Sequence, residues 1–132
     1  MRYMLDTNIC SYILKNHPVA VKQKFEEVGA GNICISSIVL AELCYGAARH
    51  PKGIVIRREI DDFASRLVII PWDEIAADHY GAIRASLEKA GTPVGAMDML
   101  IAAHARSCGA ALVTNNLREF ERIKGLMVLN WA

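Results

Sequence analysis

Short apolar runs alternate along the chain with longer stretches of helical periodicity. The runs are aliphatic and often β-branched, and they predict strands at 2–6, 33–35, 68–70, 110–113 and 127–129. Between them, apolar residues recur three or four positions apart, which predicts helices at 9–15, 19–28, 38–49, 57–66, 73–90, 98–107 and 117–123. Unbroken apolar strands are typical of sheets buried on both faces, and their alternation with helices favours parallel strands. The pattern therefore predicts an α/β fold, a three-layer α/β/α sandwich around a central, mostly parallel sheet of four to five strands.

Polar residues at the element boundaries predict where the helices begin. Thr7 or Asn8 is expected to cap the first helix, and Ser36 and Ser37 the third. One side of the long fifth helix is expected to be buried; its residues are Ile75, Ala76, His79, Tyr80, Ile83 and Leu87.

Length and composition restrict the class of protein. The 132 residues, 53% hydrophobic and 22% charged, predict one globular domain over 1–132. No apolar run reaches the ~18 residues of a membrane span and no signal-peptide pattern is present, so we expect a cytoplasmic protein with no membrane partner. Four cysteines with apolar neighbours and no C-x-x-C spacing predict reduced core thiols; they are Cys10, Cys34, Cys44 and Cys108.

An acid follows the first predicted strand. Asp6 ends the run 2–6, and the polar residues Thr114, Asn115 and Asn116 follow the strand 110–113. Open parallel sheets bind ligands at the carboxyl ends of their strands, and two such ends beside each other would form a polar pocket. From its position alone, Asp6 could equally well be the N-cap of the first helix.

Two more acids have apolar surroundings. Glu42 lies in a helix that is apolar nearly all round, which predicts a buried carboxylate that needs a cation, a proton or a metal. The alternative is a glutamate on a narrow exposed stripe, paired with Arg49 or another base. Asp98 opens the apolar helix 98–107, where it is either a helix N-cap or part of a ligand site.

The segment after the fourth predicted strand offers the remaining candidates. Glu119 lies in a charged run that can equally be a solvated face, and Asn116 supplies an amide. Clustered carboxylates without dedicated cysteine or histidine ligands favour a hard cation such as Mg²⁺ or Mn²⁺. The four scattered histidines are expected to be structural or exposed; they are His17, His50, His79 and His104.

Net charge is only +1, from 15 basic and 14 acidic residues. If four acids are withdrawn into a metal site, the remaining balance of +5 suits a phosphodiester substrate. The basic residues nearest the candidate site in sequence are expected either to contact phosphates or to form a solvated surface; they are Arg106, Arg118, Arg122 and Lys124.

Several sequence blocks occur together and in order. They are Met4-Leu5-Asp6-Thr7-Asn8, Ser36-Ser37 through Ala41-Glu42-Leu43 with Tyr45-Gly46-Ala47, Asp98 with Ile101-Ala102-Ala103-His104-Ala105, Leu112-Val113-Thr114-Asn115-Asn116, Glu119-Phe120 and Ile123-Gly125-Leu126. On these blocks, which cover nearly the whole chain, the sequence resembles the PIN-domain ribonucleases, and specifically the VapC-type toxins of bacterial toxin–antitoxin pairs.

The resemblance implies a Mg²⁺- or Mn²⁺-dependent endoribonuclease toxin that cuts single-stranded regions of structured RNA, above all tRNA, otherwise rRNA or mRNA. It also implies a VapB-like antitoxin, a toxin homodimer and a larger toxin–antitoxin complex. By motif position, Asp6, Glu42 and Asp98 fall on the family's acidic core, with Asp6 and Asp98 as metal ligands. Asn116 stands where the broader PIN pattern has an acid, and Glu119 is the alternative fourth carboxylate.

Three other classes fit less well. A haloacid-dehalogenase phosphatase needs a second aspartate where this chain has Asn8. A response-regulator receiver needs a pair of acids after its first strand, but here the residue before Asp6 is Leu5. A PIN-like module that binds RNA or protein without cutting is the remaining alternative. The intact acids argue against such a module, whereas Asn116 argues for it.

Overall fold

The computed structural model describes residues 2–132; Met1, where the predicted domain begins, lies outside the described residues. A short 3₁₀ turn at Ala30–Asn32 precedes the second strand. The remaining elements, in chain order, are β1 (Tyr3–Leu5), α1 (Thr7–Lys15), α2 (Val19–Val28), β2 (Ile33–Ser36), α3 (Ser37–Ala48), α4 (Gly53–Ser65), β3 (Val68–Ile70), α5 (Glu74–Ala90), α6 (Ala96–Ser107), β4 (Ala111–Val113), α7 (Leu117–Phe120) and β5 (Val128–Leu129).

The strands form one parallel sheet in the order β3-β2-β1-β4-β5. Met4 of β1 is paired with Cys34 of β2 on one side and with Leu112 of β4 on the other. The chain adds β2 and β3 on one side of β1 and then returns to add β4 on the opposite side. Between β1 and β4 the order therefore reverses, and this is where parallel sheets bind ligands.

Helices cover both faces of the sheet. Consecutive residues of a strand point to opposite faces, and every residue of Ile33–Ser36 and Ala111–Val113 is buried. Right-handed crossovers place the helices that precede β3 on one face and α5 and α6 on the other. The predicted three-layer α/β/α architecture with a parallel sheet is confirmed.

The predicted start of α4 is wrong by about one turn, because α4 begins at Gly53 rather than at residue 57. A Cβ atom at Gly53 would lie 2.3 Å from the carbonyl oxygen of Ala47. Only glycine allows this close approach, so α3 turns directly into α4 where a longer loop was expected. Ile54 then lies on the solvent side of α4, with 76% of its surface exposed.

Smaller corrections concern burial and boundaries. Ile75, predicted to be buried, is 56% exposed on α5, while Ala76, Ile83 and Leu87 are buried as expected. The helix predicted over 117–123 ends at Phe120. No described cysteine forms a disulfide, but Cys108 is exposed, so the prediction that all four lie in the core is wrong for that residue.

None of the helices formed by residues 2–132 combines the length and the apolarity needed to cross a membrane.

Candidate active site

Asp6 lies at the carboxyl end of β1 with only 6% of its surface exposed. Its backbone N–H donates to the carbonyl of Val113 (3.0 Å), which places it beside the end of β4. Its Oδ1 accepts the N–H of Ile9 (2.9 Å) and so caps α1. The cap predicted at Thr7 or Asn8 is therefore wrong: Asp6 is the N-cap and also lies at the switch point of the sheet.

Burial raises the pKa of Asp6 above its usual value. Hydrogen bonding from Thr114 and Ile9 opposes this effect, and the negative charge of Glu42 adds to it. Part of the pKa shift thus comes from a second acid on a different helix.

Glu42 is half-buried on α3, with Thr7 as its hydrogen-bond donor. The expectation of a fully buried carboxylate is wrong, because the neighbouring Ala41 and Tyr45 open one side of α3 to solvent. The alternative pairing with Arg49 is also absent among the described residues. Glu42 instead stands on the wall of an open site, held by a hydroxyl group from the start of α1.

Asp98 is the third residue of α6 and not its N-cap, which is Gly95. Its pKa is raised to about 6, first by burial and then by the charges of Glu119, Asp6 and Glu42. Three carboxylates on three other segments are therefore close enough to Asp98 to repel its negative charge.

Glu119 lies beside Asp98. A Cβ atom on Gly95 would lie 3.8 Å from Oδ2 of Asp98 and 3.9 Å from Oε1 of Glu119, so both carboxylates border the same glycine. Oε1 of Glu119 accepts the N–H of Gly95 (3.0 Å), and Oε2 accepts the side-chain amide of Asn116 (2.6 Å). The fourth carboxylate next to Asp98 thus comes from Glu119, while Asn116 turns an N–H toward it.

All the expected site residues are thus at one edge of the sheet, but they do not form a closed cage. Within residues 2–132, no three histidine, cysteine, aspartate or glutamate side chains surround a point where an ion could sit. Thr7 restrains Glu42, and Gly95 and Asn116 restrain Glu119. Mg²⁺ commonly uses one or two carboxylates and keeps several waters, so an all-oxygen set with two central aspartates fits it without a cage. The raised pKa of Asp98 shows a repulsion that a cation would relieve.

A groove of about 770 Å³ opens beside this acidic cluster, between α1, α3 and α4. Thr7 and Glu42 line it, together with apolar side chains and the bases Lys15 and Arg49. The Arg49 guanidinium lies over the ring of Tyr45, which is 67% exposed. The sequence pattern did not predict this groove, because Tyr45 belongs to an apolar run that reads as core.

Two of the four basic side chains expected to meet phosphate already have hydrogen-bond partners. Arg106 donates to Nδ1 of His79 (2.9 Å) and to the carbonyl of Lys124 (3.0 Å), and Arg122 donates to the carbonyl of Pro93 (3.2 Å). Among residues 2–132, Arg118 has no hydrogen-bond or ion-pair partner. Phosphate contacts by these side chains stay a prediction, and Arg118 is the candidate with a free guanidinium.

A parallel sheet with acids gathered at its switch point is typical of α/β domains that bind a ligand at that edge of the sheet. Residues 3–126 match the family model for the PIN domain. The chain is 46% identical over 132 residues to the tRNA(fMet)-specific endonuclease VapC of Shigella flexneri, covering 100% of this chain and 99% of that protein. It is 47% identical over 135 residues to ribonuclease VapC2 of Haemophilus influenzae, with the same coverage.

Among solved structures, a crystal structure of VapBC2 from Rickettsia felis bound to a DNA fragment from their promoter superposes with a TM-score of 0.94. The identity is 44%, and 100% of each chain is covered. The chain therefore belongs to the PIN-domain family and, within it, to the VapC ribonucleases.

Proposed function

We propose that the chain is a divalent-metal-dependent endoribonuclease toxin whose site is formed by Asp6, Glu42, Asp98 and Glu119. The observation that supports this most is the convergence of acids from separate segments: Asp6 lies beside the end of β4, and Asp98 and Glu119 border the same glycine. Structural acids are normally paired with bases, whereas these acids face one another at the ligand-binding edge of the sheet. Residues 1–132 are proposed to form one PIN domain.

In this proposal Asp6 and Asp98 hold the cation, Mg²⁺ or Mn²⁺. Glu42 and Glu119 complete the negative field around it. Thr7 and Asn116 keep those two glutamates oriented, through the hydrogen bonds each makes in the structure. The backbone N–H of Gly95 gives Glu119 a second fixed donor, which ties α6 to the segment after β4.

A divalent cation held by Asp6 and Asp98 would supply Lewis-acid polarisation of the scissile phosphate and would lower the pKa of the attacking water. Hydrolysis by water leaves 5′-phosphate and 3′-hydroxyl ends. Attack by the ribose 2′-hydroxyl would instead leave a 2′,3′-cyclic phosphate, so the product ends distinguish the two mechanisms.

The comparisons support a substrate and a partner. The Shigella flexneri relative is named as specific for tRNA(fMet), and the Rickettsia felis structure is a VapBC complex. We propose that the substrate is tRNA. By cutting it, the chain would act as a toxin that inhibits translation in the cytoplasm. A VapB-like antitoxin is the proposed inhibitor, binding a toxin homodimer within a larger complex and covering the acidic cluster.

The test is cleavage of purified tRNA by antitoxin-free protein. We expect cutting with Mg²⁺ or Mn²⁺, none with EDTA, and a rate at least about 100-fold lower for Asp98→Asn. Asp78→Asn, an exposed aspartate on α5, is the matched control and should cut like the wild type. Full cutting in EDTA or by Asp98→Asn, or cyclic-phosphate ends, would contradict the mechanism. Tight RNA binding with no cutting under any condition would identify a non-catalytic PIN-like module.

A further inference from the structure

His104 is an unusual residue for its position. It lies on the apolar helix α6 with 1% of its surface exposed, among Ala102, Ala103 and Ala105. Its Nδ1 lies 2.7 Å from Oγ of Ser36, but its Nε2 has no hydrogen-bond partner among the described residues. An unsatisfied buried polar atom costs stability that an apolar side chain of similar size would not. His104 therefore does something other than fill space.

The imidazole is uncharged at neutral pH. Burial lowers the pKa of His104, and the opposing effects of Asp73 and the Pro71 carbonyl are smaller. A neutral imidazole has one donor and one acceptor nitrogen, so in either tautomer one nitrogen bonds Ser36 and the other stays unpaired. Among the described residues, Ser36 is the only group at hydrogen-bond distance and angle from the ring, while the Pro71 carbonyl lies close enough to affect its pKa.

Ser36 connects this contact to the start of α3. It is the last residue of β2, and its Oγ also accepts the N–H of Ile38 as the N-cap of α3. A single side-chain oxygen thus caps the first turn of α3 and also contacts His104 in the last turn of α6.

Trp72 makes a second hydrogen-bonded bridge between α3 and α6, beside the bridge formed by Ser36 and His104. The backbone N–H of Trp72, in the segment after β3, donates to Oγ of Ser37 (3.0 Å). Its indole N–H donates to the carbonyl of Leu100 on α6 (2.9 Å). Trp72 therefore spans the same two helices, one turn nearer the N-terminus of α6.

The two bridged helices carry two of the acids. Glu42 is on α3, and Asp98 is six residues before His104 on α6, about 9 Å along the helix axis. Three of the six buried residues of α6 are alanines, whose short side chains interlock little with neighbouring helices, and a slip of one residue along the axis moves Asp98 by about 1.5 Å. Displacements of that size are enough to disturb a ligand site.

We propose that His104, through Ser36, and Trp72, through Ser37 and Leu100, are positioning residues that fix α6 against α3 and hold Asp98 in register with Glu42 and Asp6. The inference rests on the proposed function, because it concerns the geometry of that same site. Neither side chain touches the cation or the RNA.

His104→Leu separates positioning from packing. It removes the unsatisfied Nε2 but also deprives the fully buried Ser36 hydroxyl of its imidazole partner, and because these two effects oppose each other the midpoint of urea unfolding should stay about the same. The affinity for Mn²⁺, measured by calorimetric titration, should fall about tenfold or more, as is typical for residues that orient ligands. For tRNA cleavage kcat should fall while KM stays unchanged, because the RNA-binding surface is intact. His104→Asn, whose side-chain oxygen can replace Nδ1 opposite Ser36, should restore most of the Mn²⁺ affinity.

Ile83→Ala, a core truncation on α5, is the matched control: its unfolding midpoint should fall while its Mn²⁺ affinity stays that of the wild type. Wild-type Mn²⁺ affinity and kcat in His104→Leu would overturn the inference, and so would an equal loss of affinity in Ile83→Ala. If His104→Leu does not fold, Trp72→Phe replaces it as the test. This variant keeps an aromatic ring but loses the indole N–H that bonds Leu100. The inference fails unless Trp72→Phe shows the same loss of Mn²⁺ affinity. Absence of Mn²⁺ binding by the wild type would overturn the proposed function itself.

Discussion

At the scale of the residue, single acids have environments that their sequence neighbours do not reveal. Asp6 is both a helix cap and a member of the acidic cluster, so the two interpretations of its position are compatible. Glu42 is only half-buried, although its apolar neighbours predict a buried side chain, since periodicity cannot show that α3 faces an open groove. Asp98 was identified from its apolar setting, yet its proximity to Glu119 depends on folding of the loop at Gly95, which local sequence does not determine.

Asp98 should destabilise the metal-free protein at neutral pH. Its pKa of about 6 lies above the usual 3.8, so the folded protein binds this proton more tightly than the unfolded chain does. The resulting stability is fully present below pH 3.8 and is lost as the pH rises through 6. Asp98→Asn should therefore raise the free energy of unfolding at pH 8, by about 1 kcal/mol after allowance for solvent screening, and raise it by only about half as much at pH 5.

Urea unfolding in EDTA at pH 5 and pH 8 measures this difference. Asp78→Asn should show no such pH-dependent gain. An Asp98→Asn variant that is less stable than the wild type at pH 8 would show that the carboxylate contributes favourable contacts in the absence of metal.

At the scale of the element, the helices and strands could be predicted because their apolar periods are regular. All five strands and seven helices of residues 2–132 were anticipated, with errors of a few residues at the ends. The largest error, the start of α4, came from a contact between Gly53 and the carbonyl of Ala47, six positions earlier. Such a close approach depends on the angle between two helices, which a one-dimensional pattern does not contain.

Two glycines test this explanation of the α3–α4 turn. Gly53→Ala should destabilise the fold by about 2 kcal/mol or more, because its methyl group would lie 2.3 Å from the Ala47 oxygen. Gly81→Ala, in the exposed middle of α5 with nothing within 4 Å, should instead stabilise by about 0.5–1 kcal/mol. Chemical unfolding of both variants measures the two changes, and a Gly53→Ala variant as stable as the wild type would refute the proposed constraint.

At the scale of the whole molecule, strand order brings distant residues together. The sequence predicted a parallel sheet but not that β1 lies between β2 and β4, which is what places Asp6 beside the Thr114 strand end. The groove and the bridges through His104 were also not predictable, since each depends on packing between elements far apart in sequence. The site is thus a property of the assembled fold, although its acids could be identified one by one.

The central claim is that Asp6 and Asp98, from separate elements, form one cation site. Calorimetric titration of Mn²⁺ into the antitoxin-free protein at pH 7.5 tests it, with Asp6→Asn, Asp98→Asn and the control Asp78→Asn alongside. Asparagine is an equally good helix N-cap, so Asp6→Asn should keep the fold. We expect the wild type and Asp78→Asn to bind Mn²⁺ alike and each of the other two variants to bind at least about tenfold more weakly. Undiminished Mn²⁺ binding by either Asp6→Asn or Asp98→Asn would contradict the account.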